Sequence, residues 1–232
     1  MKKNLLTTAF ALLLTVVATL AQADDKIEKK YQVEDFSSIY LLGPYEVHLS
    51  QGDQCGVTIR AKESYFERLD VSADQGELSI ALEGKGLKNS KSIEVYISFK
   101  DLEKLKIEGA VDLQCETRIN TSNLKIEFDG AGNVEMNIYA SKLIADISGV
   151  GNFEISGETD YHKVDFSGIG NYEAQDLQSK YTIVESNGIG SVKVFASNKF
   201  KGEANGIGSV EYFGDPDEVT VNATGLGSVN RH

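Results

Sequence analysis

Proline is almost missing from this sequence: Pro44 and Pro216 are the only two in 232 residues. Proline cannot donate to a β-ladder, so its scarcity leaves room for long, uninterrupted strand pairing. Cysteine is equally scarce. Cys55 and Cys115 stand 60 residues apart, a spacing that fits no zinc site, and in an oxidising compartment they would form either a disulfide or two buried thiols. Histidine occurs at His48, His162 and His232 only, and no G-x-S-x-G nucleophile motif is present, which leaves little with which to build acid–base or covalent catalysis. Positive charge is in deficit: 23 basic residues face 35 acidic ones, a net charge of −12. Affinity for phosphate backbones comes mostly from lysine and arginine, so nucleic acid and anionic lipid headgroups are excluded as partners.

Long apolar runs are missing too, apart from one at the start. Met1, Lys2 and Lys3 precede an apolar stretch from Leu5 to Leu20, and Ala21-Gln22-Ala23 suits signal-peptidase cleavage. The stretch is shorter than the roughly 20 residues a spanning helix needs, so residues 1–23 read as a secretory signal and the remainder as an exported chain that does not span a membrane. No cysteine lies near the cut, so a lipid anchor there is not expected. Removal of Lys2 and Lys3 leaves 21 basic against 35 acidic residues, or −14.

Glycine, by contrast, is abundant and periodic. "SGVGNFEISG", "SGIGNYEAQD", "NGIGSVKVFA" and "NGIGSVEYFG" repeat one phrase, and the leading glycine recurs at Gly109, Gly130, Gly149, Gly168, Gly188, Gly206 and Gly225. The steps are 21, 19, 19, 20, 18 and 19 residues. Two and four residues before the glycine, and four and six after it, the columns are mostly apolar. Ile107, Phe128 and Phe166 stand in one, and Val134, Phe153 and Tyr172 in another. Polar residues fill the intervening columns, which is the alternation of half-buried strands. A unit of this length cannot bury its apolar face alone, but stacked copies bury a continuous core. Residues 103–232 therefore read as an all-β parallel β-solenoid, or β-helix, of about 19-residue coils.

Within each coil a pair of glycines marks a corner between strands, where glycine tolerates a positive φ or close backbone approach. The pairs are Gly130 with Gly132, Gly149 with Gly151, Gly168 with Gly170, Gly188 with Gly190, Gly206 with Gly208, and Gly225 with Gly227. The apolar residue between them (Ala131, Val150, Ile169, Ile189, Ile207 or Leu226) is expected to plug the core at that corner. Residues 24–30 read as a polar linker and residues 31–102 as an irregular β-rich cap. The cap has strands in "YEVHLSQGDQCGVTIRA", a short helix in "KESYFERLD" with Ser64 and Glu67 spaced as a capping box, and a hairpin turning at Gln75-Gly76. A loop "EGKGLKNSKS" then leads to a strand "SIEVYISF".

The succession of a signal peptide, "PYEVHLSQGD", "GELSIAL" and "LEKLKIEGA" leading into G-x-G coils resembles the bacterial head GIN domain family of auto-transporter adhesin-like proteins, a domain of unknown function. The resemblance covers residues 31–232. It implies a right-handed β-helix exported to the periplasm, the outer membrane or the cell surface, and it brings no catalytic or ligand residues with it.

The glycine phrase is not a nucleotide cradle, since it leads from strand to strand and lacks a third glycine. No cofactor is expected. Glu135, Glu154 and Glu173 share one column and form the candidate metal site, although calcium asks for six or more oxygens and a solvated face accounts for the column without a ligand. His162 opens a coil strand and is expected at a surface or corner. Tyr161, Tyr172, Tyr181 and Tyr212 offer aromatic contacts to sugars or proteins, with Tyr172 and Tyr212 in core columns. The chain runs out soon after Val229, so its terminal coil is expected to self-associate or dock through unpaired backbone. The reading that results is an exported, non-enzymatic adhesin or cell-envelope interaction module with a protein or glycan partner. A periplasmic structural or envelope-stress protein is the alternative, and a carbohydrate-active enzyme comes third.

Overall fold

Coils of about 20 residues, some six turns of them, wind into a β-solenoid in which 76% of residues are strand. The structure, a computed structural model, describes residues 26–84 and 93–232. The leader read from residues 1–23, and most of the "EGKGLKNSKS" loop, lie outside the described residues. No helix among the described residues is long and apolar enough to cross a membrane.

The first coil comes earlier than the repeat suggests. Strand β1 (Lys26–Tyr31) is followed by β2 (Ser38–Gln51), β3 (Gly56–Lys62), helix α1 (Glu63–Phe66), β4 (Leu69–Asp74), β5 (Glu77–Leu82) and β6 (Glu94–Phe99). Strand β7 (Lys104–Cys115) then returns to lie parallel on β2, from Ser38 against Lys104 to Leu49 against Cys115, with Gly43 on Gly109 and Pro44 on Ala110. β2 is thus a full coil, separated from the next by an excursion that folds into the cap. In that cap β5 and β6 each add parallel to β2, β4 and β3 reverse onto them antiparallel, and β1 closes the sheet on β3.

β1 occupies the stretch read as a polar linker. Its Lys26, Lys29 and Lys30 conceal it, because an edge strand with charge on both faces shows no alternation, and such charges guard an edge against further pairing. The capping box does not form either. α1 begins at Glu63 with Lys62 as N-cap and no side-chain cap bond, so Ser64 already lies inside the helix. Gln75 and Gly76 make the hairpin turn with φ of 50° and 82°.

The remaining strands are β8 (Ile119–Ile147), β9 (Val150–Phe166), β10 (Ile169–Ala174), β11 (Leu177–Ser186), β12 (Ile189–Phe195), β13 (Lys199–Ala204), β14 (Ile207–Phe213), β15 (Glu218–Ala223) and β16 (Leu226–Arg231). One face runs β9, β10, β12, β14, β16 and the other β9, β11, β13, β15, all parallel and in register. Inward columns fill the interior. Phe128 meets Phe153 edge to face at 4.9 Å, and Phe153 stacks towards Tyr172 at 6.2 Å, contacts that add about 0.5–1.5 kcal/mol each beyond area burial.

The coils turn at the glycines, and close approach between rungs is what excludes a side chain there. A β-carbon on Gly130, Gly149, Gly168, Gly188 or Gly206 would overlap the carbonyl oxygen of the leading glycine one coil below. The second column behaves alike: on Gly132 it would overlap the Val111 oxygen, on Gly151 that of Gly132, on Gly170 that of Gly151, on Gly190 that of Gly170, and on Gly208 that of Gly190. Gly190 adds a φ of 138° to that obstruction. The last pair is looser. Gly227 would place its β-carbon 2.8 Å from the Ala204 oxygen, and Gly225 has no atom nearer than 3.6 Å but a φ of 70°.

The residue between the glycines points the other way from the expectation. Val150, Ile169, Ile189 and Ile207 are 52%, 50%, 48% and 54% exposed, and Leu226 is 77% exposed. Parity is the reason. Alternation that buries Phe166 and Tyr172 puts Gly168 and Gly170 on the inward side, so Ile169 faces out. From Gly130 onward the glycines fill the inward positions of a bend that leaves no room for a side chain, whereas Tyr45 and Val111 hold the second position, buried, in the first two coils.

Candidate functional site

Three laddered surfaces follow from this geometry. The first is the corner. Pro44, Ala110, Ala131, Val150, Ile169, Ile189, Ile207 and Leu226 lie in unbroken register, one at each corner, and form an outward apolar ridge that from Ala131 onward runs between two glycine columns.

The second is a groove of about 520 Å³ beside the ridge, lined by Glu46, His48, Asp112, Glu135, Glu154 and Glu173 with an asparagine column along its edge. Asn133 Nδ2 donates to Asp112 Oδ1 at 2.8 Å, Asn152 Nδ2 to Asn133 Oδ1 at 3.1 Å, and Asn171 Nδ2 to Asn152 Oδ1 at 3.0 Å. Glu135, Glu154 and Glu173 do stack rung upon rung, and the stack runs into Lys193, whose Nζ is 3.3 Å from Glu173. Among the described residues no group of three or more histidine, cysteine or acidic side chains converges as a metal ion requires. On the opposite side of the ridge Asp146, Asp165, Glu185 and Glu203 form another acidic column. There burial, and then the Glu185 carboxylate, push the Asp165 carboxyl above its ordinary value.

The third is a groove of about 670 Å³ on the return segments, lined by Tyr139, Ser141, Thr159, Gln178, Ser179 and Phe195 among others. Tyr139 is 53% exposed, with the Arg118 guanidinium 4.8 Å from its ring centroid. The charges around it are matched: Lys180 is 2.7 Å from Asp160, and Arg118 is 3.4 Å from Glu158. In so acidic a chain this is a locally neutral surface of hydroxyl and amide groups with an aromatic ring. Beside it Tyr161 and Tyr181 stand on adjacent rungs, and the Lys142 ammonium lies 5.6 Å from the Tyr161 centroid. Tyr172 is buried, and Tyr212 is half-buried, stacked on Phe200 at 4.3 Å.

His162 is at neither surface nor corner. It is fully buried, its Nε2 shares a 2.8 Å hydrogen bond with the Tyr172 hydroxyl, and its Nδ1 has no partner among the described residues. Burial pushes its pKa down to about 3, so the ring is neutral at physiological pH. Cys55 and Cys115 are both free thiols. Cys115 Sγ donates to the Thr117 carbonyl at 3.1 Å, and burial raises its pKa to about 11, against thiolate chemistry. In the last coil every residue of β15 is exposed, and among the described residues β15 and β16 each pair on one edge only.

These features define a class: a parallel β-solenoid that presents long, regular contact faces. The chain belongs to the head GIN domain family, whose model, described as "Putative auto-transporter adhesin, head GIN domain", matches residues 35–216. Among solved structures, a putative adhesin from Bacteroides fragilis superposes with a TM-score of 0.85 at 23% identity, covering 90% of this chain and 98% of that one. A putative lipid binding protein from Parabacteroides distasonis gives 0.61 at 21% identity over 89% and 96% of the two chains. A putative adhesin from Parabacteroides merdae gives 0.58 at 17% over 89% and 96%. Likeness at these identities shows the fold, and none of these proteins carries an enzyme's name. No curated protein matches the sequence.

Proposed function

We propose that this chain is an exported, non-enzymatic interaction module of the adhesin kind, and that it holds a neutral glycan in the groove beside Tyr139. The observation that carries this reading is the composition of that groove. Sugars are recognised by hydroxyl and amide groups that meet their own hydroxyls, and by an aromatic ring that packs on their apolar C–H face. Tyr139, Ser122, Ser141 and Gln178, all exposed, supply those groups where the charges are paired off. The family description and the neighbours' names support an adhesive role, and the leader-like start of the sequence supports export.

Titration with neutral oligosaccharides (cellohexaose, chitohexaose and mannohexaose), followed by tyrosine fluorescence and amide chemical shifts, tests the reading. Tyrosine fluorescence is readable because the chain has no tryptophan. At least one sugar should bind with perturbations confined to the groove, and Tyr139→Ala should weaken it about tenfold or more at unchanged melting temperature. Absence of binding across the panel, or binding indifferent to Tyr139→Ala, overturns it. A second reading, a periplasmic protein that docks on a protein partner or on its own copy through the last coil, is favoured by Val219 and Val221, which are 45% and 50% exposed on the outermost strand β15. Protease shaving of intact cells separates the readings by location: cleavage outside supports the adhesin, and protection until the outer membrane is opened supports the second.

A further inference from the structure

We infer that the apolar corner ridge is a self-association face, on which two copies of this chain pack antiparallel about a two-fold axis. An exposed row of Val150, Ile169, Ile189, Ile207 and Leu226 needs an occupant. Charge decides among the candidates. The outward residues that flank the glycines, from Ser148 and Asn152 to Thr224 and Ser228, are serine, threonine or asparagine in all five coils. The nearest acidic columns, at Asp165 and Glu173 in the coil of Ile169, lie four residues away on either side, or about 13 Å of strand. That exceeds the Debye length of about 8 Å at physiological salt. A chain of net charge −12 therefore offers its own copy one long band free of like charge. A bilayer fits worse, because interface-seeking edges carry tryptophan, lysine or arginine beside their apolar residues, and this band carries none of them.

Shape favours the second copy and fixes its direction. The ridge thickens from Ala131 through Val150 to Ile169, Ile189, Ile207 and Leu226. Laid antiparallel, thin end meets thick end: Ala131 faces Leu226, Val150 faces Ile207, and Ile169 faces Ile189 across the axis. The same arrangement sets Asp129, at the thin end, against the uncharged Thr224 and Ser228, whereas a parallel arrangement would set Asp129 against itself. On the outward face each ridge is bordered by short serine, threonine and asparagine side chains, which let the two ridges meet without obstruction. The six rungs from Ala131 to Leu226 span about 24 Å at a repeat of about 4.8 Å, and a band up to about 26 Å wide then gives on the order of 600 Å² per copy. That reaches only the lower end of specific interfaces, so the dimer is weak and reversible.

Sedimentation equilibrium of the protein purified from cells expressing the full chain tests this. The mass should rise from one chain towards two between about 10 µM and about 1 mM, the range suited to so small an interface, and about 200 mM salt should strengthen association over about 20 mM by screening the acidic borders. Ile169→Lys and Ile189→Asp, both at exposed positions, should each abolish association at unchanged melting temperature. A mixture of the two variants should associate again, because the lysine introduced in one copy then faces the aspartate introduced in the other. A wild-type protein monomeric throughout, variants that dimerise like wild type, or a mixture no better than its components overturns the proposal. The glycan titration is read at concentrations below dimerisation, so the two proposals fail independently.

Discussion

His162 is a fully buried base, and its cost appears in the pH dependence of stability. Its pKa moves from 6.5 to about 3 on burial. Between those values the unfolded chain binds a proton that the folded chain does not, so stability is full above pH 6.5 and is lost as pH falls through the window. Each pH unit inside it removes up to about 1.4 kcal/mol. Between about pH 7.5 and about pH 5, above the ordinary titration of carboxylates, urea unfolding of wild type should therefore show a steeper loss than His162→Phe, the difference approaching one proton. Equal slopes would mean that the ring is charged or exposed in the folded state. The residue's position was legible in principle. Six residues before Gly130 and each later leading glycine stand Leu124, Leu143, His162, Thr182, Phe200 and Val219, a column of the same parity as the buried Val164 and Phe166. Reading parity through the whole coil would have placed His162 inside. It would likewise have placed Ile169 outside, where its apolar character argued for the core.

At the scale of the element, the coil corner is the part that the sequence specifies most tightly. Gly190 combines a φ of 138° with a backbone oxygen where its β-carbon would lie, whereas Gly52 has nothing within 4 Å of that point and no such φ. Gly190→Ala should destabilise the protein by about 1–3 kcal/mol, while Gly52→Ala should leave it unchanged or slightly more stable. Thermal melts of the two variants check this, and equal melting temperatures would remove the steric account of the corner. Repetition made these corners readable; where repetition is interrupted, the elements were hidden. β2 carries Gly43, Val47 and Leu49 in the right columns, but Tyr45 stands in the second glycine column, Pro44 replaces the usual aliphatic rung, and the cap intervenes before β7 resumes the stack. The Tyr139 groove lay on a column that could have been read, since Thr121, Ala140, Thr159, Ser179 and Ser197 stand nine residues before successive leading glycines, but such small polar residues in the return segments look like ordinary turn residues.

At the scale of the whole molecule, the two ends of the solenoid differ among the described residues. The cap strands β1, β3, β4, β5 and β6 cover the first coil, whereas β15 and β16 each have a neighbour on one side only among the described residues. A solenoid is held by nearest-neighbour terms, so its opening should begin at the less-contacted end and advance coil by coil. Amide hydrogen exchange is expected to be graded: fastest in β15 and β16, slower in β13 and β14, and slowest in β8 and β9, with at least about a hundredfold between the extremes. Uniform protection along the axis would show that the molecule opens as one unit. Concentration adds a second reading to the same measurement. The amides of β15 gain protection at high concentration only if another chain pairs with that edge, because backbone pairing is what slows exchange. The ridge makes side-chain contacts across strands whose backbone is already laddered, so dimerisation there leaves the gradient in place while the sedimenting mass rises. Protection of β15 together with loss of dimers in Val221→Lys would assign self-association to the terminal coil, whereas an unchanged gradient together with loss of dimers in Ile189→Asp assigns it to the ridge.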